Sequence, residues 1–151
     1  MPLSERCPMT KPEHALDLFA RQFNCTQAVL AAYGPDEGLD EARCLMLAAP
    51  FGGGIGRLGE TCGAVTGAIM VLGLRYGGAT TADPQAKAAL YERVRDFVAR
   101  FKVRNASIIC RDLLGCDLST PEGWQQAQDR KVHQTVCPKF VRDAAEILDA
   151  M

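Results

Sequence analysis

Apolar residues recur along most of the chain at the three- and four-residue spacing of an amphipathic helix. Glycine and proline interrupt this pattern and divide it into segments. No segment shows the strict alternation of apolar and polar residues that marks a half-buried strand. The pattern therefore predicts an all-α fold, a compact single-domain bundle of about six to eight helices. The last segment opens at Pro138, and its apolar stripe is formed by Phe140, Val141, Ala144, Ala145 and Leu148.

One predicted helix, from about Thr61 to Leu74 or Tyr76, is apolar nearly all round and should be central and buried. Its first turns carry small residues, including Gly63 and Gly67. Glycine costs about 1 kcal/mol relative to alanine inside a helix. We therefore expect another backbone to approach this helix closely.

A glycine-rich segment, residues 52–59, precedes that helix and contains a GxGxxG match. A dinucleotide-binding fold also requires a preceding strand and a βαβ unit, and neither is predicted here. We interpret the segment as a tightly turning loop that sets the entry to Cys62. Arg57 in this loop either holds an anion or a thiolate, or is an ordinary surface residue.

Length and charge restrict the class of protein. The chain has 151 residues and a net charge of −1, which indicates one domain and gives no reason to expect nucleic acid or an anionic membrane as partner. We expect residues 1–10 to be a flexible tail and residues 11–151 to be the helical domain that carries the cysteines. The sequence shows neither an apolar span nor a signal peptide, so we expect a cytoplasmic protein.

The chain contains seven cysteines, an odd number that excludes a fully paired disulfide framework within one chain. In a reducing compartment, so many thiols indicate metal binding or redox chemistry. Helix N-termini carry partial positive charge, which favours thiolate over thiol. Four cysteines lie in the first turn of a predicted helix. Cys25 follows Asn24, Cys62 follows Thr61 and Cys137 precedes Pro138, whereas Cys110 lies three residues after Ser107, which is the predicted cap of a short helix from Ile108 to Leu114.

The remaining candidates are weaker. Cys116 follows a helix-stopping glycine and is either a resolving thiol for Cys110 or a structural residue. Cys44 lies mid-helix among apolar residues and should be core, whereas Cys7 lies in the tail. His133, four residues before a predicted site cysteine, is a proton donor, a ligand or a plain surface histidine.

Four blocks of the chain, in order, resemble the C_GCAxxG_C_C family of redox-active proteins. The blocks are residues 23–29 (FNCTQAV), 51–54 (FGGG) with 59–67 (GETCGAVTG), 110–115 (CRDLLG) and 137–145 (CPKFVRDAA). The resemblance implies a redox site that maps onto the four helix-start cysteines. A similar cysteine domain occurs in split-Soret cytochromes c, where it is associated with an iron–sulfur cluster. Their haem does not carry over, because this chain lacks a CxxCH motif.

Three kinds of function are open for the four helix-start cysteines. In the leading hypothesis, Cys25, Cys62, Cys110 and Cys137 bind a metal or an iron–sulfur cluster for electron transfer or redox sensing. In the second, the same cysteines exchange thiols and disulfides, with Cys62 as the nucleophile. In the third, they form a structural zinc site, or the chain is a non-catalytic interaction module. The expected partner is an unidentified redox protein, and homo-oligomerisation is left open.

Overall fold

The computed structural model describes residues 7–78 and 82–151. Helices fill most of this part of the chain, and no β-strand occurs in it, so the all-α prediction is confirmed. Of the predicted tail, residues 1–6 lie outside the described residues, and residues 7–10 are exposed and non-helical. Within the described residues the α-helices are α1 (Lys11–Ala20), α2 (Cys25–Tyr33), α3 (Glu41–Ala48), α4 (Gly63–Tyr76), α5 (Pro84–Asn105), α6 (Cys110–Leu114), α7 (Pro121–Asp129), α8 (Val132–Thr135) and α9 (Cys137–Asp149).

Local capping explains where most of these helices begin. The side chain of Asn24 accepts a hydrogen bond from the backbone N–H of Gln27, and the Gln27 side chain accepts one from the Asn24 N–H, which completes a capping box. The side chains of Asp83 and Thr120 cap α5 and α7 by accepting from the backbone N–H groups of Ala86 and Gly123, and each is followed by a proline at the first helical position. Asn, Asp and Thr are preferred N-cap residues and proline favours the first helical position, so the sequence itself predicts these three starts.

Helix α4 lies at the centre and packs most extensively on α2. A Cβ atom added at Gly67 would lie 2.8 Å from the carbonyl oxygen of Thr26, and one added at Gly63 would lie 2.6 Å from the Thr26 Oγ1. Only glycine fits at this separation, so the expected close approach of a second backbone is confirmed. The approach brings the N-termini of α2 and α4 side by side.

Helix α9 completes the core and contacts α1, α2, α4 and α5. Its predicted apolar stripe is buried as expected, and Phe140 packs against Phe101 of α5. Helix α5 has 22 residues, about one turn longer than the roughly five turns that its sequence predicts. The shared contacts join these helices into one compact domain whose α2, α4 and α9 all begin on the same side.

Candidate functional site

The four helix-start cysteines line a single cleft of about 1010 Å³. Cys25 is the first residue of α2, Cys62 is the N-cap of α4, Cys110 is the first residue of α6 and Cys137 is the first residue of α9. The prediction that all four mark helix starts is confirmed. Residues far apart in the sequence are therefore gathered at one surface depression.

Backbone hydrogen bonds hold two of the cysteine segments together. The N–H of Cys62 donates to the carbonyl of Ile108 at 2.7 Å, and the N–H of Cys110 donates to the carbonyl of Glu60 at 2.6 Å. These bonds form a short antiparallel bridge between Thr61 and Ile109. As a result, the start of α4 and the start of α6 have a fixed relative position.

The start of α6 differs from the sequence prediction, which placed it at Ile108 with Ser107 as its cap. The helix begins at Cys110, and Ile109 is its N-cap in extended conformation. The side chain of Ser107 instead accepts a hydrogen bond from the N–H of Ile109 at 3.0 Å. The bridge between Thr61 and Ile109 requires extended backbone at Ile109. The helix therefore begins two residues later than predicted.

The glycine-rich loop wraps around the same bridge. Its residues 53–57 all have positive φ, at 67°, 68°, 66°, 53° and 63°, and two of them, Ile55 and Arg57, are not glycine. A Cβ atom at Gly54 would lie 2.6 Å from the Cβ of Cys110, so the loop backbone packs directly on this cysteine. The expected tight turn is confirmed. It does not follow a strand, so the GxGxxG match does not indicate a dinucleotide site.

Cys25 and Cys137 form an interacting pair within the cleft. A hydrogen bond from Cys25 lowers the pKa of Cys137, and the backbone N–H of Cys137 acts in the same direction, although burial opposes it. That hydrogen bond, burial and the neighbouring thiols raise the pKa of Cys25. Cys137 is therefore the thiol of the pair that ionises more readily, and Cys25 is the one that donates to it.

The pKa values of Cys62 and Cys110 are set mainly by burial of the thiols. Burial raises the pKa of each to about 12, and at Cys62 it outweighs the N–H groups of Ala64 and Val65, which favour the thiolate. We expected helix N-termini to favour thiolates at all four cysteines. This expectation is wrong for Cys25, whose pKa is raised by the hydrogen bond to Cys137 and by burial. It is also wrong for Cys62 and Cys110, where burial exceeds the effect of the helix end.

The other three cysteines lie outside the lining of the cleft. Cys44 is fully buried and donates to the carbonyl of Leu39 at 3.3 Å, which confirms it as a core residue. Cys116 is buried and close enough to Cys110 to raise the pKa of that thiol. Cys7 is exposed, and all seven thiols are free.

Several cleft residues carry signals that sequence reasoning missed or left undecided. The His133 ring stacks on Phe19, with 4.1 Å between centroids, and its buried Nε2 has no hydrogen-bond partner among the residues that the structure describes. Burial lowers the pKa of His133, so the imidazole is neutral near pH 7. Arg57 stacks on Trp124 at 4.0 Å. Neither stacking partner is adjacent in sequence, which is why no local pattern indicated these pairs.

The donor set of the cleft has the chemistry of a metal site but not the arrangement of one. Four cysteine thiols are a common ligand set for zinc and for iron–sulfur clusters. Across residues 7–78 and 82–151, however, no group of three or more His, Cys, Asp or Glu side chains is placed to hold a metal ion. The described side chains therefore do not fit a metal or a cluster as they stand.

Fold and site together define an all-α protein with a thiol-lined cleft suited to redox chemistry. The chain belongs to the C_GCAxxG_C_C family, whose sequence model, described as "Putative redox-active protein (C_GCAxxG_C_C)", matches residues 23–151. No curated protein and no solved structure matches the chain. In the part of the chain that the structure describes, no helix combines the length and apolar character needed to cross a membrane.

Proposed function

We propose that this protein is a thiol–disulfide redox protein whose reactive pair is Cys137 and Cys25. The observation that carries the proposal is the position of these two thiols, at the first residues of α2 and α9 in the lining of one cleft. Their mutual influence moves the two pKa values in opposite directions. Both thiols are partly accessible, whereas Cys62 and Cys110 are buried. An attacking thiol needs access to its target as well as thiolate character. Cys137 combines partial exposure with a lowered pKa, and Cys25 is the partly exposed thiol beside it.

The two cysteines take different roles. The Cys137 thiolate attacks a sulfur of a partner disulfide, and Cys25 then attacks the Cys137 sulfur and completes an internal disulfide. The two protein thiols are oxidised while the partner disulfide is reduced to two thiols. The sequence led us to expect Cys62 as nucleophile. Its raised pKa makes it a weaker candidate than Cys137.

Alkylation kinetics test this assignment. The reduced protein is treated anaerobically with iodoacetamide at pH 7, and each cysteine peptide is followed by mass spectrometry. We expect Cys137 to react faster than the exposed Cys7, and Cys62 and Cys110 to stay largely unmodified. Equilibration with mixtures of reduced and oxidised dithiothreitol should then produce one disulfide, between Cys25 and Cys137.

Matched variants make the outcome decisive. Cys137→Ser should prevent the internal disulfide, and Cys7→Ser, outside the cleft, should leave it unchanged. If Cys137 reacts no faster than Cys7 and no internal disulfide forms at any dithiothreitol ratio, the proposal is wrong.

Metal or cluster binding is a second candidate, and one observation favours it: all four family cysteines line the same cleft. The described side chains would have to move closer together to act as ligands, because none of their groupings is placed to hold a metal. Anaerobic purification with iron, zinc and sulfide analysis and an absorbance spectrum separates the two candidates. Iron with visible absorbance supports a cluster, and stoichiometric zinc without colour supports a structural metal. A metal-free protein that cycles between dithiol and disulfide supports the first proposal.

A further inference from the structure

The charge of the cleft differs from that of the whole chain. Two cationic side chains line it, Arg57 from the glycine-rich loop and Lys131 from the connection between α7 and α8. Among the described residues, no aspartate or glutamate lines it. The whole chain carries a net charge of −1, so this positive lining does not simply follow the composition.

Neither cation is neutralised by an acidic side chain in the described part of the chain. None of the ion pairs within residues 7–78 and 82–151 includes Arg57 or Lys131. Glu60, the acidic residue close to the loop in sequence, is instead paired with Arg111 at 3.1 Å. Both cations are therefore available to a ligand.

The guanidinium of Arg57 is held in place. It lies over the ring of Trp124 at 4.0 Å from the centroid. Such stacking restricts the side chain and leaves the guanidinium edge free to bind a carboxylate. An exposed arginine that is fixed without an acidic partner is suited to an anionic ligand.

The size of the cleft favours a small ligand over a protein surface. Its volume of about 1010 Å³ lies near the upper end of the range for clefts that bind small molecules, roughly 300–1,000 Å³. Its lining combines apolar side chains with side-chain amides, the usual composition of such sites.

We propose that the cleft binds a low-molecular-weight disulfide that carries carboxylate groups, with Arg57 and Lys131 as the residues that select for negative charge. The inference rests on the proposed function, since the disulfide of this ligand is the oxidant of the Cys25–Cys137 pair.

The reaction balances without a further reagent. The Cys137 thiolate attacks one ligand sulfur, the ligand S–S bond breaks, and the first ligand thiolate leaves. The Cys25 thiol gives up its proton to that leaving thiolate and attacks the Cys137 sulfur, which expels the second ligand thiolate. Two electrons pass from the protein dithiol to the ligand, which leaves as two thiols, the second protonated by solvent.

Three disulfides of similar size and different charge test the inference. They are dithiodipropionate with two carboxylates, hydroxyethyl disulfide without charge and cystamine with two ammonium groups. The rate of Cys25–Cys137 disulfide formation in the full-length reduced protein is measured with each probe and divided by the rate with free mercaptoethanol. We expect dithiodipropionate to exceed hydroxyethyl disulfide by about tenfold at low salt and cystamine to be slowest. Added salt should reduce the difference.

Variants identify the residues responsible. Arg57→Gln and Lys131→Gln should each lower the ratio of the dithiodipropionate rate to the hydroxyethyl disulfide rate, and the double variant should bring it close to one. Arg93→Gln is a matched control, because Arg93 is also exposed and stacks on an aromatic ring, Tyr76, at 3.7 Å, and does not line the cleft. Lys102→Gln is the corresponding lysine control.

The outcomes separate the inference from the function on which it rests. Equal normalised rates for all three probes, unchanged by salt or by the cleft variants, would overturn the charge selection and leave the thiol–disulfide function intact. Failure of every probe to oxidise the pair would overturn the function itself.

Discussion

Helix α9 borders two polar regions that are built in opposite ways. Six residues from Cys137, the nearly buried Asp143 accepts hydrogen bonds from Lys139 at 2.6 Å, Asn105 at 3.1 Å and Arg104 at 3.2 Å. In the cleft, by contrast, the buried Nε2 of His133 has no partner, and thiols are packed near one another. One region satisfies its buried polar groups and the other leaves them unsatisfied.

This difference indicates what each region contributes. A buried polar group without a partner costs about 1–3 kcal/mol, whereas a paired one stabilises the fold. The Asp143 cluster, with its three donors, is explained by stability alone. The cleft costs stability through desolvated thiols, an unpartnered imidazole and a left-handed loop, and such costs concentrate at functional sites.

The largest expected effect on stability comes from the paired region. Asp143→Ala removes a carboxylate that joins α5 to α9. Lys139 then loses its ion-pair partner, and Arg104 keeps only its pair with Glu146 at 2.6 Å, so we expect the free energy of unfolding to fall by about 2 kcal/mol. Urea unfolding at pH 7 measures it. Asp96→Ala is the control, because Asp96 forms an exposed pair with Arg100 and should cost less than about 0.5 kcal/mol. Equal losses of unfolding free energy in the two variants would mean that the Asp143 cluster stabilises the fold no more than an exposed ion pair does.

The same carboxylate predicts an acid dependence. Burial opposes ionisation of Asp143, but the hydrogen bonds from Lys139, Asn105 and Arg104 outweigh it and lower the pKa of Asp143. Its stabilising effect should be fully present above the unfolded value of about 3.9 and be lost as the pH falls through the lower folded pKa. The difference in unfolding free energy between wild type and Asp143→Ala should therefore shrink below pH 4.

For the cleft we expect the opposite pH dependence of stability, with a loss at alkaline pH. Because burial raises the pKa of Cys62 to about 12, the unfolded chain loses this proton first as the pH rises above about 8.5. The free energy of unfolding should then fall by up to about 1.4 kcal/mol per pH unit for this thiol. Urea unfolding between pH 8 and pH 10.5 should show a shallower slope for Cys62→Ala than for wild type. An unchanged slope, or an equal change in Cys7→Ala, would contradict the prediction.

Replacing His133 tests whether its unpartnered nitrogen lowers the stability of the fold or has a structural role. His133→Phe keeps the stacking on Phe19 and removes the unpartnered nitrogen, so stability at pH 7 should stay unchanged or rise by up to about 1 kcal/mol. Since burial lowers the pKa of His133, wild type should lose stability as the pH falls below about 6.5, and the variant should lose less. A clear loss of stability in His133→Phe at pH 7 would indicate a partner for Nε2 and a structural role.

The same contrast explains how much the sequence could predict. The caps at Asn24, Asp83 and Thr120 depend on residues within one turn, so local reasoning identified them. The helix-start cysteines followed from the same logic. The direction of the Cys62 pKa did not, because it depends on burial by distant segments, and no local signal links His133 to Phe19. Their contacts arise only when the helices pack.

The smallest effect concerns the loop. Ile55 has a φ of 66° and is 38% exposed, so its left-handed backbone is strained without much compensating burial. That conformation costs a residue with a Cβ about 1–2 kcal/mol, partly offset because glycine adds about 0.4–1 kcal/mol of unfolded-state entropy. Ile55→Gly should therefore be more stable than Ile55→Ala by about 0.5 kcal/mol. The alanine variant is the right reference, since both lose the side chain and only one keeps the strain. If the two unfold at the same urea concentration, the left-handed turn costs nothing. The loop would then no longer count among the costs that distinguish the cleft from the Asp143 cluster.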